Sequence, residues 1–474
     1  MRHLTQVPFA SLLAFSLSFA AACSNDDTLN GDDETAGDTG NGLDVPDSYE
    51  FESRFEDASS VSYSGQVFRQ VLISSLKTEM STIQDEIDND GKVFAEGEVR
   101  ARLEFYYVFD SDTAGDLTHG VSTDPAPLQT SFNDISSGKD LKGKIAGQDE
   151  IGQHKDWSAG IVGWEGNLSP DALVLQWFDE VDALAVAYSS GNIPTSPGGT
   201  AITKWYVDAE GRDYQQLLQK FLLGAINYSQ GTDDYLDDDT EGKGLLTDNV
   251  DRDEGAAYTA LEHSWDEGFG YWGAARDYLA YEDAQLAETP YVDHDEDGVI
   301  DLTREYSFGA SINASKRDNG AAEGAETDFS RETMVAFLTG RAIIAAADGP
   351  LSDEDLAALQ AQRDIAVTGW EKSLAATAVH YINDSVQDID TDAAWEDLAG
   401  HWSELKGFVL ALQFNPRKAI SDTDFATLNE LIGTAPGSDL QAYKADLIAA
   451  RDILGTTYEF DAANLGDANG EGGW

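Results

Sequence analysis

The apolar positions of this chain recur with a helical period. Tyr214, Leu217, Leu218, Phe221, Leu222 and Ala225 fall at i, i+3, i+4, i+7, i+8 and i+11, one face of an α-helix. A second stripe is Leu173, Val174, Trp177, Phe178, Val181, Leu184 and Tyr188, opened by Ser169 and Pro170 in the places of a cap and a first helical residue. Met334, Phe337, Leu338 and Ile344 form a third. Ser352 with Asp355 and Ser421 with Asp424 read as capping boxes that use Asp at the third position. Strand-like alternation is scarce. The pattern therefore predicts an all-α fold of roughly ten helices, arranged as two packed helical bundles. An N-terminal helical half would occupy residues 51–250 and a C-terminal half 251–474. Polar stretches near 111–150, 189–210, 229–254 and 284–329 are too long for simple bundle connections, which points to loops that are functional or clamped by ions.

The first residues break this pattern. Arg2 and His3 precede "VPFASLLAFSLSFAAAC", an apolar run too short to span a bilayer and ending in small residues, so residues 1–22 read as a secretory signal. Ala20-Ala21-Ala22-Cys23 resembles a lipoprotein cleavage box, and Cys23 is the chain's single cysteine, which lipidation explains better than a disulfide. Ser24 in the next place favours the outer membrane, with the protein facing the periplasm or the cell surface. Residues 23–50 are rich in Asp, Gly, Thr and Asn and read as a flexible acidic spacer between lipid anchor and body.

Charge narrows the partners. The 474 residues include 88 Asp and Glu against 29 Lys and Arg, a formal net charge of -59. Nucleic acid is excluded as a partner on that balance, since phosphate binding needs clustered basic side chains. Cations are the natural small partners of such a field, and plain solubility in a salty medium is the alternative explanation.

One cation loop is written in the sequence. "DHDEDGVIDLTRE" sets Asp293, Asp295 and Asp297 at alternate positions, then Gly298 for a sharp bend, Val299 for its carbonyl and Asp301 at the ninth position, a calcium-type donor set. It departs at the twelfth position, where Arg304 stands and Glu305 follows, as in calcium loops that stabilise structure. "EIDNDG", with Glu86, Asp88, Asp90 and Gly91, is a weaker echo that reads as a helix stopped by Gly91.

Two further stretches carry candidate chemistry. "LEHSWDEGFGYWGAARDY" contains G-x-G-x-x-G at Gly268, Gly270 and Gly273, but no strand precedes it, so a dinucleotide site is excluded and the small residues read as points of close helix approach. Leu261, Trp265, Phe269 and Trp272 share one helical face; His263 and Asp266 lie opposite, spaced to converge on one ion. "GHWSELKGFVLALQF" repeats the spacing with His401 and Glu404, here on the apolar side of Leu398, Leu405, Phe408 and Leu412. A buried carboxylate needs a His, an Arg or a metal. Arg341, on the apolar face of another helix, is the non-metal partner to weigh against an ion.

The blocks "YTALEHSWDEGFGYWGAARDY" and "HWSELKGFVLALQFNPRKAISDTDF", behind a lipoprotein signal and acidic spacer, resemble a bacterial lipoprotein family of unassigned function, distantly similar to the imelysin-like iron-regulated proteins. That resemblance implies a two-bundle α fold, a Gly-x-His-x-x-Glu motif and a part in uptake of iron or another metal. His263 and Asp266 match the His-x-x-acid part, with Leu261 at the Gly place; His401 and Glu404 keep His and Glu, with Ala399 at the Gly place. The peptidase activity first described for imelysin-like proteins finds no support, because HExxH and GxSxG do not occur.

The sequence thus points to a lipid-anchored envelope protein that binds a transition metal, iron foremost, or a metal complex, through His263, Asp266, His401 and Glu404, with calcium in the 293–301 loop. Its partners would be the metal, the membrane lipid and an envelope receptor protein. Two other readings stand beside it: a metallopeptidase-like hydrolase using Glu267 as base, and an interaction scaffold that contacts a protein through Tyr271 and Trp272.

Overall fold

Ser169 and Pro170 open a helix as their types require: the Ser169 hydroxyl accepts the Ala172 N–H, and Pro170 sits in the first turn where no N–H is missed. In the computed structural model, which describes residues 43–474 apart from 150, 151, 254 and 348, eleven helices of nine residues or more follow this logic. They are α1 (Ser64–Asp90), α2 (Glu98–Tyr107), α3 (Pro170–Ser189), α4 (Tyr214–Leu222), α5 (Ala260–Trp272) and α6 (Gly309–Asn319). The remaining five are α7 (Phe329–Ala346), α8 (Asp353–Thr391), α9 (Trp395–Ala411), α10 (Asp422–Ile432) and α11 (Leu440–Tyr458). Among the described residues there are no strands, only isolated bridges such as Tyr291 to Tyr306. The signal segment and Cys23 lie outside the described residues.

The 39-residue α8 is the central post, starting at a Ser352–Asp355 capping box, with α6, α7, α9 and α11 packed along it. From there contacts close a ring: α9 lies on α4, α4 on α1, α1 on α5, and α5 on α7. Helices from either side of residue 250 share one apolar cluster that runs from Tyr49 to Trp474. The sequence stripes are its lining. Leu173, Val174, Trp177, Phe178 and Val181 are fully buried, as are Leu217, Leu218, Phe221 and Leu222. Tyr271 and Trp272 are fully buried too, so they offer no surface to a partner protein.

Two local features differ from the expected pattern, each for a packing reason. The stretch 43–50, assigned to the spacer, is docked: Tyr49 is fully buried and stacks on Phe269 with ring centroids 3.8 Å apart. Its one aromatic ring is enough to hold the segment to α5. The α4 stripe does not run on as an α-helix through Ala225; it widens into π-helical turns at Leu223–Tyr228 and Gly231–Tyr235. There Gly224 abuts Ala411 and Gly231 abuts the Trp370 ring, so closely that a Cβ would fall 2.5 and 2.8 Å from them. Such wide turns recur at functional sites because they re-aim side chains out of helical register.

Helix α4 begins at Asp213, whose carboxylate accepts the Gln216 N–H and is fully buried with Lys204 3.9 Å away. Burial pushes its pKa up to about 6. Above an unfolded value near 3.8, the folded state then holds the proton more tightly than the unfolded one, so this group's contribution falls as pH rises from about 4 to 6. Asp213→Asn keeps the cap without the buried charge. In urea titrations it should match the parent near pH 4 and exceed it by on the order of 3 kcal/mol at pH 7; equal stability at both pH values would show that Asp213 is not desolvated.

Candidate metal centre

Helix α5 opens with a capping box, Thr259 accepting the Glu262 N–H and Glu262 accepting the Thr259 N–H. This box places two acids, Glu262 and Asp266, one turn apart on the side that faces α7. Both are fully buried, and so is Arg341 between them. The Arg341 Nε donates to Asp266 Oδ1 (3.0 Å), Nη1 to Glu262 Oε1 (3.2 Å) and Nη2 to the Ser60 hydroxyl (2.7 Å). Tyr49 O–H and the Ser62 N–H complete Asp266, at 2.9 and 3.0 Å. His263 turns elsewhere: its Nδ1 lies 3.0 Å from the Ser62 carbonyl, its ring stacks on Tyr258, and its Nε2 is 3.7 Å from Glu267. The expected His263–Asp266 pair is therefore not brought together, because Arg341 and Tyr49 occupy Asp266 Oδ1 and the Ser62 N–H occupies Oδ2.

His401 and Glu404 also part company. His401 sits half-exposed at the edge of α9, its Nδ1 2.8 Å from Asp388 and its Nε2 3.9 Å from Asp384 on α8; His380 Nε2 is 3.3 Å from the same Asp384 oxygen. Burial opposes protonation of His401, but the hydrogen bond and charge of Asp388, together with the charges of Asp384 and Glu404, outweigh it and hold the imidazole pKa above its usual value. Glu404 accepts from Tyr381 O–H (2.9 Å) and Lys220 Nζ (3.0 Å). His263 and His401 share no partner among these contacts.

In the acidic loop the carboxylates of Asp293, Asp295 and Asp297 do converge, with ligand oxygens within 4.8 Å of one another. The bend is made by Gly298 at φ +85°, and Asp293 accepts the Asp297 and Gly298 N–H groups. Val299 donates its N–H to Asp297. Asp301 does not join the cluster: its Oδ1 accepts from Gln129 and from the Thr303 N–H. Glu305, one place past the twelfth position, staples both ends of the loop by accepting the His294 and Asp301 N–H groups at 2.8 Å. Arg304 pairs with Glu50.

The tightest histidine–carboxylate group was not singled out by sequence. Where the π-helical turn Gly231–Tyr235 follows α4, it aims Asp233 inward, and the chain beyond it brings Asp237 and Asp239 alongside. His154 meets all three: Nδ1 is 2.9 Å from Asp233 and 3.2 Å from Asp237, and Nε2 is 3.3 Å from Asp239. Asp233 is fully buried, Asp237 nearly so, and Asp239 is exposed at the mouth. Burial pushes the Asp233 pKa up to about 6 against the pull of His154. The backbone N–H of Lys155 donates to Asp233 at 3.2 Å, and Arg417 binds the other oxygen of Asp237, orienting the two acids. Nδ1 thus faces the two buried acids and Nε2 the exposed one, and His154, Asp237 and Asp239 each offer a ligand atom within 4.8 Å of the others. The only sequence signal was the Asp-rich run within the long polar stretch at 229–254. Nothing in local spacing ties it to His154.

An all-helical protein with His154, Asp237 and Asp239 converging next to the buried Asp233 of a π-helical turn is what these residues define. Residues 171–433, more than half of the chain, match the family described as Domain of unknown function (DUF4856), and the chain belongs to that family. The match includes Asp233, Asp237, Asp239 and the acidic loop, while His154 precedes it. No curated protein and no solved structure matches the chain.

The two α5 candidates should respond differently to truncation. Asp266→Ala leaves Arg341 with Glu262 alone and strands three buried donors, Arg341 Nε, Tyr49 O–H and the Ser62 N–H, and should cost about 3 kcal/mol or more in chemical unfolding, whereas His263→Ala should cost no more than about 1 kcal/mol. Equal losses would mean that Arg341 does not depend on Asp266.

Proposed function

We propose that this chain is a lipid-anchored envelope protein that binds a divalent transition metal, iron(II) foremost, for metal acquisition. The metal's seat would be His154, Asp233, Asp237 and Asp239, with calcium held by Asp293, Asp295 and Asp297 as a structural ion. The observation that supports this most directly is the approach of one imidazole to three carboxylate oxygens at 2.9 to 3.3 Å, two of those carboxylates being buried. Burying two acids beside each other is costly, and Arg417 offsets only Asp237, leaving Asp233 without an ion-pairing cationic side chain other than His154 among the described residues. One nitrogen and several oxygen donors suit Fe(II) or Mn(II) and disfavour Cu(I). The Ala20–Cys23 box supports the anchor, and the likeness of the α5 and α9 blocks to imelysin-like proteins supports a part in metal uptake. Binding is favoured over hydrolysis: Glu267, the base a hydrolase would use, is bonded to Gln66 Nε2 at 2.7 Å and faces His263.

Elemental analysis and Fe(II) or Mn(II) titration of the chain, purified without an affinity metal, test the reading. About one equivalent of transition metal is expected, with affinity falling at least about 10-fold in His154→Ala and in Asp233→Asn. His263→Ala and His401→Ala should bind as the parent does, and Asp295→Ala should lose calcium alone. Unchanged metal affinity in His154→Ala would overturn the assignment.

A further inference from the structure

Arg317, on α6, is the exception among the buried arginines. Six arginines are more than nine-tenths buried among the described residues. Five have partners for the guanidinium: Arg69 the Asp140 carbonyl, Arg276 Glu50, Arg341 Asp266 and Glu262, Arg363 Asp238, and Arg451 Asn383. Arg317 is 8% exposed, yet its Nε has no hydrogen-bond partner and its guanidinium forms no ion pair among the described residues. The contact Trp474 makes with this residue goes to the Arg317 backbone carbonyl, by its indole N–H at 2.9 Å. Asp384 and Asp318 act on the guanidinium only at a distance.

An unpaired buried guanidinium is costly, and its planar fork is built for carboxylate or phosphate oxygens. The surroundings reinforce the point. Lys77 and Lys220 share one acceptor, Gln216 Oε1, at 2.9 and 3.4 Å, so two ammonium groups stand side by side. Lys316 follows Ser315 on the same turn as Arg317, its residue surface open while its ammonium is partly desolvated, and Glu404 is the carboxylate paired with Lys220. The neighbouring positive charges depress Lys77 and Lys316, in each case after burial as the larger cause, and burial followed by Arg317 pushes His380 down to about 3. In a chain where acids outnumber bases 88 to 29, four basic side chains gather here, with Glu404 committed to Lys220 and Asp384 to His380.

We infer that the guanidinium of Arg317, unpaired at its buried Nε and next to Lys316, is the binding point for the carboxylate or phosphate group of a small anionic ligand. None of the residues proposed to seat the metal takes part, so this inference stands or falls separately from that one.

Thermal unfolding of the full chain tests it, with succinate and inorganic phosphate as probes against sodium chloride of matched ionic strength. A saturable rise in Tm of a few degrees with at least one probe is expected for the parent, and succinate against phosphate separates carboxylate from phosphate recognition. Arg317→Met should abolish that rise and, with no probe present, melt above the parent, because an unpaired buried cation has been removed. Arg317→Lys, which keeps charge but loses the fork, should weaken the response about 10-fold in probe concentration. If Arg317→Met instead melts well below the parent with or without probe, or if neither probe gives a saturable shift, the anion site does not exist.

Discussion

Buried charge must be matched by buried countercharge, and in a chain with 88 acids and 29 bases that requirement governs where the structure can place its carboxylates. Arg341 meets it most completely. Fully buried between α5 and α7, it binds Asp266, Glu262 and Ser60, while Tyr49 and Ser62 bind Asp266 from the N-terminal segment. One guanidinium thus joins α5, α7 and the segment that leads into α1.

The same rule read elsewhere picks out the places where countercharge is incomplete. At the end of α4 the helix widens, because Gly224 and Gly231 admit Ala411 and Trp370 so closely. The wider turn puts Asp233 out of helical register and into the body, beside Asp237 and below Asp239. Among the described residues His154 faces all three carboxylates there, and Arg417 pairs with the far oxygen of Asp237. Across the molecule Arg317 presents the converse, a cation with no anion of its own. The acidic loop is intermediate: its three carboxylates converge at the surface, where water can share their charge.

Much of the architecture was legible because it rests on local rules. Ser169, Pro170, Ser352 and Gly91 each cap or stop a helix as their chemistry dictates, and the apolar stripes of α3 and α4 line the core. The loop at 293–297 was legible for the same reason, its donors lying within five residues. The histidine pairs misled because i, i+3 spacing states adjacency on a helix but not what the neighbouring helix supplies; Arg341 takes Asp266, and Asp388 takes His401. His154 was invisible because it lies 79 residues before Asp233 and only a widened turn, set by tertiary packing, brings them together. Tyr49 extended the body into the acidic segment through a single stacked ring.

The central claim is that a metal would be held by one imidazole and several carboxylates at the end of α4. X-ray absorption at the metal edge of the Fe(II)- or Mn(II)-loaded chain reads that donor set directly. A shell of oxygen and nitrogen at about 2.1 Å is expected, with the outer-shell scattering of a single imidazole, lost in His154→Ala. Scattering from two or more imidazoles, unchanged in that variant, would place the metal at the other histidines and contradict it.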